Sequence, residues 1–529
     1  MRPAFLISLI GLLASPLLAD VRLPAIFSDH MVLQRGVKLT VWGWADPGEQ
    51  VVVSIADQKV SATAADDGKW SVALNPISSA GSVGQMTVEG KNTLTISDVL
   101  VGDVWLCAGE GDMAVPLAQI HDGKQYMANT NVPDVRVFEV GQCAALRPLP
   151  DCQGHWVVSD VSAVRNFSGL AFLFGKQIHD SMKTPVGIIG AYCDHAPVKA
   201  WVGIRALSSD PQLSSLVTND LDRADDELPD VLAINRQTFE QYQTDYDNWL
   251  QGSGNNYLSD LQRWAEQEAG QKHASTPPRE RPAEPRAPVL QGVDAPTVLS
   301  NGMIWPLVPY AIKGVLWDQG ESDVLNLGQY TQLTTALMSD WRNRWGEDFP
   351  FIIVQCPNMN GDFGQAAGQF PFLRQAQAEE LTQPQTALVT ALDAGAGKDL
   401  RGGDENTIAR RAVVVARHLD SDSSIVSGPV FDKMSIDGNH VHITFKYVGS
   451  GLQTPKHRGQ AEPVKGFEIA GSDKQFKPAQ ATIDDGGVTV WSDDVSNPVA
   501  VRYGWADNPA VNLSNREGLA VMPFRTDDW

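Results

Sequence analysis

Cysteine is scarce, with five in 529 residues. None stands in a zinc-like spacing, and no HExxH or DxDxDG run is present, so no metal or cofactor is expected. Positive charge is also short: 41 Lys plus Arg against 63 Asp plus Glu gives a net charge of -22. Such a chain repels phosphate backbones and anionic lipid, and no nucleic-acid partner is expected. Long apolar runs are missing after the first twenty residues, which argues against a membrane span in the mature chain. Of the cysteines, Cys107, Cys193 and Cys356 each end a short apolar run and read as buried. Cys143 and Cys152 flank a proline-bearing loop and could bridge in an oxidising compartment, or stay reduced.

What is present is a globular composition, 43% apolar and 20% charged. The length allows about three units at roughly 150 residues each. Residues 1–19 have a positive start, a short apolar stretch broken by Gly11 and Pro16, and Ala19 at the presumptive cut. That is the pattern of a secretory signal, so export to the periplasm or the exterior is expected. Residues 20–98 alternate apolar and polar residues between turns such as DPGE and DDGK, the pattern of a small β domain. From residue 99 the pattern becomes nearly continuous apolar runs ending in polar clusters, VWLCAGEGD, PVGIIGAYCDH, GVLWDQGESD, FIIVQCPNMN and TALVTALDAG. Strands of that kind are buried on both faces, and helical stretches at Tyr330 to Trp345 and Asn406 to Leu419 make a parallel α/β sheet the expected core. The core is divided into 99–211 and 296–422 by a helical, proline-rich insertion at 212–295, and alternation returns in a closing β domain at 423–529.

Ligands of an open parallel sheet sit beyond the carboxyl ends of its strands. The polar clusters therefore bring together Glu110 and Asp112, Asp194 and His195, Gln319, Glu321 and Asp323, and Asp393, Asp399 and Arg401. Carboxylates crowded in one pocket raise one another's pKa, which suits acid/base chemistry.

Eight segments carry a family resemblance: FSDHMVLQRG at 27–36, WADPGE at 44–49, DVLVGDVWLCAGEGDM at 98–113, PVGIIGAYCDHAPVKAW at 185–201, YAIKGVLWDQGESD at 310–323, FPFIIVQ at 349–355, and the closing RYGWADNP with FRTDDW. Together they resemble the bacterial sialate O-acetylesterases, SGNH hydrolases on a flavodoxin-like fold. The resemblance implies an α/β hydrolase core carrying an insertion and flanked by N-terminal and C-terminal β-sandwich-like domains.

The departures from the family pattern fall at its chemistry. The family's GQSNM, whose serine is the nucleophile, reads GEGDM here, with Gly111 in the serine's place. The family's DIHP histidine aligns with Arg401, which cannot act as a base near neutrality. The tandem glycines of SWGGT align with Asp194 and His195, and the asparagine of GESN aligns with Asp323. Amides and small residues have thus become acids, which is the equipment of a glycoside hydrolase. The expectation that follows is a sialidase acting on sialylated glycans, with Glu110, Asp112, Asp194 and Asp323 as acid and base. Arg401 or Arg374 would grip the substrate carboxylate, and His195, Gln319, Glu321, Trp317 and Asp399 would complete the site. Two alternatives stay open, an inactive glycan-binding relative and an esterase with an unusual nucleophile. Several residues also have plainer roles: Asp112, Asp404 and Glu405 as helix caps, Glu321 as a loop brace, and Trp317 and Tyr192 as covers of the strand ends.

Overall fold

The computed structural model describes residues 20–217, 235, 237–238, 241–242, 244–270, 275–278, 292–359, 364–395, 403–419 and 426–529. The expected signal, most of the proline-rich connector, Asp399 and Arg401 lie outside the described residues.

The N-terminal unit holds β1 (Val32–Gln34), β2 (Leu39–Trp44), β3 (Gln50–Ile55), β4 (Gln58–Thr63), β5 (Lys69–Leu74) and β6 (Gly81–Glu89). In β2 and β5, alternate side chains are buried, as their period-2 sequence requires, and the two strands pair antiparallel. β7 (Thr93–Gly109) then joins this unit to the core. Its first half pairs antiparallel with β6, and from Asp103 onward it lies parallel to β10 (Val186–Tyr192). Every β7 residue from Val99 is buried, matching the change from alternating to continuous apolar sequence.

The core sheet also contains β8 (Val132–Glu139), β9 (Trp156–Ser159), β11 (Gly314–Asp318), β12 (Phe351–Gln355) and β13 (Thr386–Thr390). Its order is β13-β12-β11-β7-β10-β8-β9, parallel throughout except for β9, which runs antiparallel to β8. Each of the five apolar runs marked in the sequence forms one of its strands. Val104, Leu106 and Ala108 of β7 face one core, whereas Trp105 and Cys107 face the other. Helices Leu327–Trp345 and Phe370–Glu379 cover the first face, and Gly169–Met182 and Glu405–Leu419 cover the second. The helix Leu327–Trp345 stops at Gly346, whose φ of 69° lets its N–H return to the Arg342 carbonyl at 2.8 Å.

Within the insertion, a helix spans Asn255–Glu268 and buries Leu261 and Trp264. The C-terminal domain contains two four-stranded antiparallel sheets, around a core that includes Val441, Ile443, Tyr503 and Phe524. None of the five cysteines is in a disulfide, and Cys107, Cys193 and Cys356 are buried as expected. Among the described residues, no helix is long and apolar enough to cross a membrane.

Candidate active site

From β7 the chain steps to β8 and β10 on one side and later to β11, β12 and β13 on the other. The loops leaving β7, β10 and β11 therefore part at the carboxyl end of β7, the place where a parallel sheet of this order is expected to offer a ligand crevice. The β7 loop enters it as a single 3-10 turn, Gly111–Ala114, and the β11 loop as another, Glu321–Asp323.

Glu110 is 2% exposed and locks the two loops together. Its Oε1 accepts from Gln319 Nε2 at 2.9 Å, from the Ser322 N–H at 2.9 Å and from the Gly320 N–H at 3.3 Å. Its Oε2 accepts from the Ser322 hydroxyl. Burial, reinforced by the Glu321 charge, pushes the Glu110 carboxyl up to about 8, against the pull of the Ser322 donors. Asp323 is as deeply placed; its Oδ2 accepts from the Val198 N–H at 2.9 Å and from Gln319 Nε2 at 3.1 Å. Burial raises Asp323 to about 6. Gln319 also donates to the Ala196 carbonyl, so one amide ties the loops after β7, β10 and β11. Asp112 is buried inside its turn and does not cap it; Glu110, the residue before the turn, holds the cap position without a side-chain bond to it.

Gly111 has φ 58°. A Cβ built on it would stand 3.0 Å and 3.1 Å from the two carboxylate oxygens of Glu321. A side chain at this position would thus border a carboxylate that the family's GESN also carries, and Glu321 is only partly buried. Its charge raises Glu110, Asp318 and Cys356, in each case after burial.

Other expected site residues are placed differently. Arg374 is fully buried and does not reach a substrate. Its guanidinium donates to the carbonyls of Cys356, Pro357, Ala506 and Asp507, which bolts the core to the C-terminal domain. Trp317 is 1% exposed and packs edge-on between Trp201 and Trp341, so it cannot stack on a sugar. Tyr192 is also internal, donating its hydroxyl to Glu139 at 2.7 Å. Asp194 and His195 lie at the rim, with a 3.4 Å approach between Oδ2 and Nε2 and side chains 30% and 73% exposed. His195 has φ 60°, the left-handed backbone that its glycine counterpart in the family would take without strain. Asp393 pairs with Arg411 at 2.6 Å. Asp404 caps the following helix through the Thr407 N–H, whereas Glu405 turns inward, is 1% exposed and has neither oxygen hydrogen-bonded. Burial, and next the Asp112 charge, raise Glu405 to about 9.

Sequence reasoning missed Asp318, Ser322 and the inward turn of Glu405. Asp318 is the last residue of β11, and its Oδ2 accepts from the Met113 N–H at 3.0 Å. Its place at a strand end was a usable signal. For Ser322 the signal was its position between two acids in GESD. Nothing local marks Glu405, because its neighbour Asp112 is nearly 300 residues away in sequence. Among the described residues, no group of three or more His, Cys, Asp or Glu could hold a metal ion.

Comparison with known proteins bears on the chemistry. A family model described as a carbohydrate esterase, sialic acid-specific acetylesterase, matches residues 303–407. The human sialate O-acetylesterase is 25% identical over 543 residues, covering 92% of this chain and 88% of its own. The rat sialate O-acetylesterase is 26% identical over 540 residues, covering 92% and 90%. The crystal structure of a carbohydrate acetylesterase from Xanthomonas citri is 30% identical and covers 96% of this chain and 100% of its own, with a TM-score of 0.75.

These similarities overturn the glycoside hydrolase expectation, since they are to ester hydrolases. The geometry gives the physical reason the acids misled. Glu110 and Asp323 spend their oxygens on internal donors and replace amides as structural ties.

Proposed function

This chain belongs to the family of sialic acid-specific carbohydrate acetylesterases, and from that premise we propose that it hydrolyses O-acetyl esters on sialic acid-type sugars, with water in place of the family's serine hydroxyl and Glu321 as general base. The observation that carries this reading is the Glu321 carboxylate lying 3.0 Å from the Cβ position of Gly111. A water hydrogen-bonded to Glu321 would attack the acetyl carbonyl carbon and pass its proton to the carboxylate. The tetrahedral intermediate would then expel the sugar oxygen, which takes that proton, leaving acetic acid and the free hydroxyl. Buried Glu110 and Asp318 are both pushed toward their neutral forms, Asp318 by burial first and the Glu321 charge second. That limits the number of negative charges the crevice must hold beside Glu321.

The experiment supplies an O-acetylated sialic acid and, separately, a sialylated disaccharide. Acetate release from the first with no free sialic acid from the second is the expected result. An acid-quenched reaction should carry no acetyl adduct on the protein, because no acyl-enzyme forms. Binding of the first substrate without acetate release would mean that the relative has kept recognition and lost turnover. Export belongs to the same proposal: the mature protein should be recovered outside the cytoplasm, with its N-terminus following Ala19.

A further inference from the structure

A second surface stands apart from the crevice. Between the outer face of the helix Leu327–Trp345 and the short helix Ile204–Ser209 lies a cavity of about 1110 Å³, none of whose described lining residues belongs to the site above. It shares Pro148, Trp305 and Val308 with a neighbouring cavity of about 580 Å³ against the N-terminal unit, so the two form one groove.

Three features of the groove describe its ligand. The first is aromatic: Trp305 is 44% exposed and has the Arg344 guanidinium 5.1 Å from its ring centre, while Trp42 and Trp44 line the adjoining stretch. An exposed, electrostatically braced indole suits the C–H face of a pyranose. The second is hydrogen bonding without charge. Thr331, Thr335, Ser339 and Asn343 recur every four residues, so hydroxyl and amide groups run along one side of the helix and line the cavity, the Thr331 hydroxyl also donating to Glu379 at 3.2 Å. The third is electrical balance: the larger cavity is lined by two arginines and two aspartates, and Arg344 is already paired with Asp340 at 2.7 Å. One donor is also left over, since the indole N–H of Trp70, 3% exposed in the wall of the smaller cavity, has no hydrogen-bond partner.

From these we infer that the groove is a second binding site, for a neutral oligosaccharide chain, separate from the esterase crevice. A polyanion would find the larger cavity balanced and, in the smaller, only Lys69, which pairs with Asp67 at 3.1 Å, and a purely apolar ligand would strand the row of hydroxyl and amide groups. The inference stands whether or not the crevice turns out to hydrolyse esters.

The test titrates the full-length chain with a linear N-acetyllactosamine hexasaccharide and with xylohexaose, following tryptophan fluorescence and heat of binding. At least one should bind, and free sialic acid should not displace it. Trp305→Ala should weaken binding at least tenfold, with acetate release from a monosaccharide substrate unchanged. Ser339→Arg, at an exposed helical position, should block the groove equally and guards against a folding defect in the first variant. The inference is overturned if neither oligosaccharide binds, if both variants bind like the parent, or if sialic acid competes.

Discussion

The carboxylate of Glu321 stands directly over the backbone of Gly111: its oxygens lie 3.0 Å and 3.1 Å from the point where a side chain on residue 111 would begin. The family's GESN carries the same acid alongside its serine, so what is particular to this chain is that the acid faces a bare glycine. Installing the family's serine alone should not restore the family's chemistry, because Arg401 stands where the family's histidine would serve as base. Gly111→Ser places a Cβ against the carboxylate and puts a non-glycine residue at φ 58°, at a cost of about 1 kcal/mol. Acetate release should fall at least tenfold and the melting temperature by a few degrees. A rise in activity would show that the serine framework is intact and that Glu321 is incidental.

His195 is a second place where the backbone prefers glycine. His195→Gly should raise stability by about 1 kcal/mol, since it relieves a left-handed residue whose 3.4 Å contact with Asp194 is largely exposed. Denaturant unfolding checks this, and a loss of stability would mean that the imidazole contributes more than its exposure suggests.

Arg374 should behave as a bolt between domains. Arg374→Lys cannot reach four carbonyls with one ammonium group, so unfolding should become easier by several kcal/mol. KM per folded molecule should stay near that of the parent. A variant of normal stability with a sharply raised KM would return Arg374 to the substrate.

The buried acids fix the sign of the pH dependence of stability. Burial alone or foremost holds Glu380 up to about 8, and likewise Glu110 to about 8 and Glu405 to about 9. Unfolded glutamates titrate near 4.3, so above that pH the folded state binds more protons. Stability from these groups is fully present below about pH 4 and is lost as the pH rises toward 8 to 9. Melting temperatures should therefore fall between pH 5 and pH 9. Glu380→Gln, remote from the crevice, should flatten that slope, and an unchanged slope would contradict the assignment.

The legibility of the sequence divided along physical lines. Continuous apolar runs identified the five adjacent strands β13, β12, β11, β7 and β10 because a strand covered on both faces has no polar side to show. Strands β8 and β9 were not singled out in the same way, because exposed and half-buried positions interrupt their apolar runs. Loop chemistry was half legible: the acids at 110, 112 and 323 do converge, but sequence could not say that Gln319 and the Val198 backbone occupy their oxygens. Composition alone made an internal tie look like a catalytic acid. Arg374, within the helix Phe370–Glu379, and Trp317, near a strand end, failed for a related reason, since an arginine or tryptophan reads alike whether it faces a ligand or the interior.

The most direct test is acetate release from an O-acetylated sialic acid by the parent chain and by Glu321→Gln, measured side by side at neutral pH. The parent should turn over, and the amide, nearly identical in shape but unable to take a proton from water, should lose a factor of about 10² to 10⁴ in rate while still binding the sugar. Equal rates in the two proteins would contradict the assignment of Glu321 as the base.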